Sequence, residues 1–212
     1  MFVSFGHFYM QKIILASSSV YRRELLSGLG VHAETSSPDI DETPLPDETG
    51  EQLALRLAEQ KAAKVGRLNP EAITIGSDQV AVLTHPDRSF SLLGKPGTID
   101  NAESQLLACS GNKVSFYTAV SLYTKTKNMS ACETTHVWFR SLTENTVRDY
   151  VRYEQPLDCA GSFKCEGLGA LLFERIEGRD PNSLIGLPVM LLRDMFEHFN
   201  IDLLALATSK PE

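Results

Sequence analysis

A set of charged side chains stands where a folding chain has no evident use for charge. Arg22 opens an amphipathic helix, Lys61 falls on the apolar side of a second, Asp78 is embedded in a β-branched strand and Lys95 occupies a Gly-Pro turn. Glu42 lies in an acidic loop, and Lys164 and Glu166 lie among glycines. Basic groups beside a helix N-terminus suit a polyphosphate, because the terminus already presents free N–H groups and the positive end of the dipole. Carboxylates next to such a ligand would repel it, so Glu42 and Asp78 imply a hard divalent cation with oxygen ligands, Mg²⁺ or Mn²⁺. Polyphosphate, metal and a buried carboxylate together are the parts for water attack on a phosphoanhydride.

Taken singly, most of these residues have a plainer reading. Arg22 pairs with Glu24 or Glu51 at the surface, Lys61 runs past the apolar stripe to water, Glu42 in "DIDETP" solvates a loop, and "GKP" is a turn. Asp78 resists this, since a buried, unpaired carboxylate is costly. His32, His85, His136 and His198 show no nucleophile pattern and read as surface or packing residues.

The elements that must position these groups follow from periodicity and capping. Ile13 to Leu15 end a buried strand. Ser18 or Ser19 then caps a helix whose Leu25, Leu26 and Leu29 share a face, with Gly30 as its stop. Arg22 and Arg23 fall in its first turn, where cations cost stability unless something negative meets them. Val31 to Ser37 reads as a strand leading into the acidic loop "PDIDETPLPDETG". Thr49 and Gln52 form a capping box for a helix from about Gly50 to Leu68, whose side bearing Leu53, Leu57, Lys61, Lys64 and Val65 carries Lys61 inward.

Ala72 to Val82 is a strand that Gly76-Ser77-Asp78-Gln79 interrupts, and Thr84 to Ser91 is a loop. After "LLGKPGT" comes a helix from about Ile99 to Cys109, closed by Gly111. Lys113 to Thr124 alternates as a strand, and Glu133 to Arg140 pairs with it antiparallel. Thr143 caps the next helix, with a Leu142–Val147 staple. A glycine-rich segment follows, and the last helix runs from Pro188 to about Phe199. Alternating strands and helices with added hairpins predict a mixed α/β sheet.

Composition bounds the rest. The chain has 212 residues, 42% hydrophobic and 22% charged, with a net charge of −7. That charge, and the absence of a basic stripe interleaved with aromatics, argue against a nucleic-acid partner. No apolar run approaches the roughly 20 residues of a membrane span. Cys109, Cys132, Cys159 and Cys165 form no C-x-x-C pair and no zinc spacing, so reduced thiols and a cytoplasmic location are expected. "MFVSFGHFYMQK" lacks a basic leader. Residues 1–9 read as an N-terminal extension with Met10 as the start, and residues 10–205 as a single domain.

The blocks "LASSSVYRRELL", "DETP", "AEQKA", "IGSDQV", "GKP", "CAGSFKCEG" and "EGRDPNSLIGLP" occur in one order. That order resembles the Maf-like nucleoside triphosphate pyrophosphatases over nearly the whole chain. The resemblance implies two lobes around a central nucleotide-binding cleft and a mixed twisted sheet with flanking helices. It also implies a divalent metal, a homodimer, and hydrolysis between the α and β phosphates. Gln79 after the aspartate, and Glu166 in "SFKCEG", are similar to the YceF-type branch, whose preferred substrate is 7-methyl-GTP. By the same resemblance Asp78 is the general base, and Tyr21, Gln79 and Glu166 are specificity positions. Ser17, Arg22, Lys61 and Lys95 hold phosphates, and Glu42 with Asp78 holds the metal. Val20 stands where the family usually has Pro, and Tyr21 where this branch's type example has Trp. A dTTP/UTP-type pyrophosphatase and a non-catalytic nucleotide-binding regulator of cell division are the alternatives. Chemistry favours the 7-methyl-GTP branch. One carboxylate can accept both N–H donors of guanine's Watson–Crick edge, and an aromatic face gains from a cationic methylated base.

Overall fold

The computed structural model describes residues 12–209; the expected extension, residues 1–9, and the start at Met10 lie outside them. Its strands are β1 (Ile13–Ala16), β2 (Glu34–Thr35), β3 (Ile73–Thr84), β4 (Phe90–Leu93), β5 (Lys113–Tyr123), β6 (Asn128–Phe139) and β7 (Phe173–Glu177). Its α-helices are α1 (Val20–Gly28), α2 (Gly50–Leu68), α3 (Ile99–Cys109), α4 (Glu144–Glu154), α5 (Val189–His198) and α6 (Leu203–Thr208). The strands form one mixed sheet in the order β2-β1-β3-β5-β6-β7, with β4 also paired to β3. β1 runs parallel to both β2 and β3, and the other pairings are antiparallel.

Local signals placed the helices. Ser19 caps α1 by accepting from the Arg22 N–H, and the Thr49–Gln52 capping box starts α2 at Gly50. Thr98 and Thr143 cap α3 and α4 in the same way. Three expectations are corrected. Residues 76–79 do not interrupt β3, because Gly76 to Gln79 keep an unbroken ladder with Ser121 to Thr118 of β5. The expected loop from Thr84 to Ser91 is the turn of a hairpin, with Thr84↔Phe90 and Leu83↔Ser91 already paired. The strand expected from Val31 to Ser37 shrinks to Glu34–Thr35.

Side chains alternate across the long strands β3 and β5, and this places the core. On one face, Ile73, Ile75, Val120 and Leu122 pack with α1, α5 and α6 through Leu26, Met195, Phe196 and Leu203. At the other end of that face, Ala81, Leu83, Val114 and Phe116 pack with α3 and α4 through Leu106, Val147 and Val151. Between these two apolar lobes the same face carries Ser77, Gln79 and Thr118. The opposite face holds Val80, Val82 and Ala119 under Leu53 and Leu57 of α2. All four cysteines are free, and no described helix is long and apolar enough to cross a membrane.

Candidate active site

β1 pairs with β3 only at Ile73–Gly76, and β4 pairs along the same edge only at Ala81–Thr84. Ser77 to Val80 therefore have a strand on one side alone, β5, and leave a gap on the other. The Ser17–Ser19 turn leaves β1 at one end of this gap, and the Gly94-Lys95-Pro96 loop leaves β4 at the other. Asp78 and Gln79 are consecutive in the strand, so they emerge on opposite faces.

Asp78 faces α2. A Cβ on Gly76 would lie 2.2 Å from the Ala58 carbonyl oxygen and 2.6 Å from the Ala62 nitrogen, so only glycine lets the helix backbone come this close. The approach delivers Lys61, whose Nζ lies 2.6 Å from Asp78 Oδ1 and 2.6 Å from Glu42 Oε1. Lys61 is 6% exposed and Asp78 7%, so Lys61 does not escape to water as its plainer reading had it. Burial raises the Asp78 pKa above the ordinary carboxylate value, the Lys61 and Arg22 charges oppose that rise, and Glu42 reinforces it. Burial likewise lowers Arg22, with Asp78 and Glu42 pulling it back up.

Arg22 is held from far along the chain. Its Nε donates to the Gly186 carbonyl at 2.7 Å, and its Nη1 reaches Ser17 Oγ at 3.4 Å. The Ser77 hydroxyl donates to the same Gly186 carbonyl at 2.8 Å. Gly186 sits at φ +103, where a side chain would be strained. Its segment, a 3₁₀ turn over Pro181–Ile185, is fixed by buried Asp180, which accepts from Asn182 N at 2.8 Å and from Met190 N of α5 at 2.6 Å. Sequence reasoning quoted this block but gave Asp180 and Gly186 no role. The Asp-Pro pair opening a turn and the glycine closing it were the available signals.

A second group gathers around Tyr21, one residue before Arg22 on α1. Its phenol lies close to the Cys159 thiol. Its pKa is pushed up to about 12, first by burial and then by Cys159, Asp158 and Glu166. The Cys159 thiol donates to Asp158 Oδ1 at 3.5 Å, and the Cys165 thiol to Glu166 Oε2 at 3.4 Å. Phe163 anchors the segment that carries Glu166. Its ring meets those of Phe116, Phe139 and Phe173 edge-on, at centroid distances of 5.3, 5.8 and 4.8 Å. The first turn of α1 thus presents Arg22 to the Asp78 cluster and Tyr21 to the acidic group.

Ser17, Arg22, Glu42, Lys61 and Asp78 come together, and Glu166 lies near enough to Tyr21 for its charge to raise the phenol pKa. Lys95 does not join the cluster: it is exposed and forms no ion pair among the described residues. Its loop is nevertheless pinned beside Asp158, by Gly97 N donating to the Leu157 carbonyl at 3.1 Å and by Asn101 Nδ2 donating to the Pro96 carbonyl at 3.0 Å. Gln79 points away from Asp78, and Lys164 Nζ donates to the Glu154 carbonyl at the end of α4.

Among the described residues no three His, Cys, Asp or Glu converge as a metal site. Glu42 and Asp78 are the two carboxylates of the cluster with oxygens that could serve a hard cation, and the Lys61 ammonium bridges them here. Mg²⁺ commonly takes one or two carboxylates plus phosphate oxygens.

Residues 12–199 match the family model described as Maf-like protein. The chain belongs to the Maf family. This Maf chain is 46% identical over 195 residues to the 7-methyl-GTP pyrophosphatase of Aliivibrio fischeri, an alignment covering 91% of this chain and 98% of that relative. It also resembles the structure of the Staphylococcus aureus Ham1 protein, at 13% identity and a TM-score of 0.47 over 89% of this chain and 100% of that one.

Proposed function

We propose that this Maf protein is a nucleoside triphosphate pyrophosphatase. It cleaves 7-methyl-GTP to 7-methyl-GMP and diphosphate and so removes a modified nucleotide. The observation that carries this reading is Asp78. It is a buried carboxylate at an open strand edge, with its pKa raised and with Lys61, Arg22 and the N-terminus of α1 around it. A raised carboxylate takes a proton more readily than an ordinary one, which suits a general base. Asp78 accepts a proton from water, the water oxygen attacks the α phosphorus, and the bond to the bridging oxygen breaks to release diphosphate. Arg22, Lys61, Lys95 and Ser17 bind the phosphate chain. A divalent cation at Glu42 and Asp78, Mg²⁺ or Mn²⁺, supplies Lewis-acid charge when bound.

Base choice rests on Tyr21, Gln79 and Glu166. Glu166 and Asp158, whose charges both act on the Tyr21 phenol, favour a cationic purine, and the relative from Aliivibrio fischeri supports that substrate. The reading includes a homodimer, a cytoplasmic location in keeping with the four free cysteines, and no nucleic-acid or membrane partner.

The test is a panel of 7-methyl-GTP, GTP, dTTP and UTP with Mg²⁺ and detection of diphosphate. Fastest release from 7-methyl-GTP is expected. Fastest release from dTTP or UTP would place the protein in the pyrimidine branch. Binding without release from any of them would make it a nucleotide-binding regulator.

A further inference from the structure

We infer that Thr118 sets base specificity by fixing which way the side-chain amide of Gln79 faces. Gln79 Nε2 donates to the Ser183 carbonyl at 2.6 Å and to Thr118 Oγ1 at 3.0 Å. The Thr118 hydroxyl itself donates to the Ser183 carbonyl at 3.0 Å. A hydroxyl has one proton, so Thr118 Oγ1 can then only accept, as a carbonyl oxygen always does. Turning the Gln79 amide over would set Oε1 against the Ser183 carbonyl, and Thr118 could donate to Oε1 only by giving up its own bond to that carbonyl. Thr118 and Ser183 are fully buried, so water does not relieve such a conflict.

The consequence lies at the other end of the amide. Gln79 Oε1 accepts no hydrogen bond among the described residues, and it is not one of the buried atoms left without a partner. It is therefore open to solvent, and Gln79 itself is only half-buried. Gln79 thus offers solvent, or a ligand bound on that face, a fixed acceptor and no donor. That suits the N–H donors of a guanine and opposes a base presenting a carbonyl there. Thr118 touches no substrate in this scheme; it is a positioning residue. The inference rests on the proposal that Gln79 reads the base.

The experiment compares kcat/KM for 7-methyl-GTP and for UTP in the wild type, Thr118→Val, Thr118→Ser and Gln79→Ala. Thr118→Val keeps the volume and removes the hydroxyl. The ratio of efficiencies should fall roughly 5–30-fold, chiefly through KM and toward the Gln79→Ala value. Thr118→Ser restores the hydroxyl and should hold the ratio within about twofold of wild type. Should the valine variant fail to fold, Thr118→Cys, a weak donor, takes its place with the same expected direction. A ratio unmoved by Thr118→Val while Gln79→Ala lowers it overturns the inference and leaves the Gln79 reading standing. An equal loss on both substrates in Thr118→Val overturns it too, by making Thr118 merely structural. A ratio unmoved in Gln79→Ala removes the Gln79 reading itself.

Discussion

Lys61 Nζ lies 2.6 Å from Asp78 Oδ1, and both side chains are almost wholly buried. The residues are 17 apart in the chain and meet because α2 lies directly on Gly76 of β3. The pair places a carboxylate with a raised pKa next to a buried cation. Glu42, 57% exposed at its side chain, holds the same ammonium from the solvent side.

Asp78→Asn retains the shape and removes the base. Turnover should fall by about 10²-fold or more while the protein stays folded, measured as diphosphate release beside a thermal melt. Near-wild-type turnover in the folded variant excludes Asp78 as the base.

Lys61→Met separates stability from catalysis. Removing one partner leaves a buried carboxylate unpaired, a loss of about 3–5 kcal/mol at neutral pH. Lys61 is the strongest influence lowering the Asp78 pKa, so its loss drives that pKa further up. A carboxyl with a folded pKa above its unfolded value holds its proton better when folded. The stability deficit should therefore grow as pH rises above the ordinary 3.8 and fade as pH falls toward it. Adding Asp78→Asn to Lys61→Met should recover most of the loss. Denaturant titrations across pH check this, and a pH-independent deficit contradicts it.

Stripping divalent cations should abolish activity, and Mg²⁺ or Mn²⁺ should restore it, because Glu42 and Asp78 would otherwise repel a triphosphate. Full turnover in excess chelator rules the metal out.

Arg22 and Lys95 should differ in stability and agree in catalysis. Replacing either with Ala removes a charge-assisted bond of about 1.5–3 kcal/mol, so efficiency falls roughly 10–150-fold for every base alike. Arg22→Ala also leaves the Gly186 carbonyl without one of its donors and should lower the melting temperature. Lys95→Ala should leave it unchanged. A loss at Lys95 confined to one nucleobase moves that residue into the base pocket.

Glu166→Gln replaces one of two acceptors with a donor. Efficiency on 7-methyl-GTP should drop roughly 5–150-fold, while UTP is spared. Tyr21→Ala should act in the same direction more weakly, since it removes a stacking face. Kinetics on both substrates decide it, and a constant ratio means the base is read elsewhere.

Much of this protein was legible in the chain itself, and the legible part is local. Thr49 and Gln52 cap their own helix, so α2 begins at the residue their spacing predicts, and its apolar stripe carries Lys61 inward. The ordered blocks also placed the chain in its family. Continuity of β3 was not legible, because Gly76, Ser77 and Asp78 are poor strand formers whose ladder is completed by β5, some 40 residues on. The partner of Arg22 is 164 residues away, and that of the Gln79 amide 104. Local propensity and spacing carry no information about such contacts. Which face each of two neighbouring residues meets, and what lies on it, is settled only when helix, strand and the Pro181–Ile185 turn pack together.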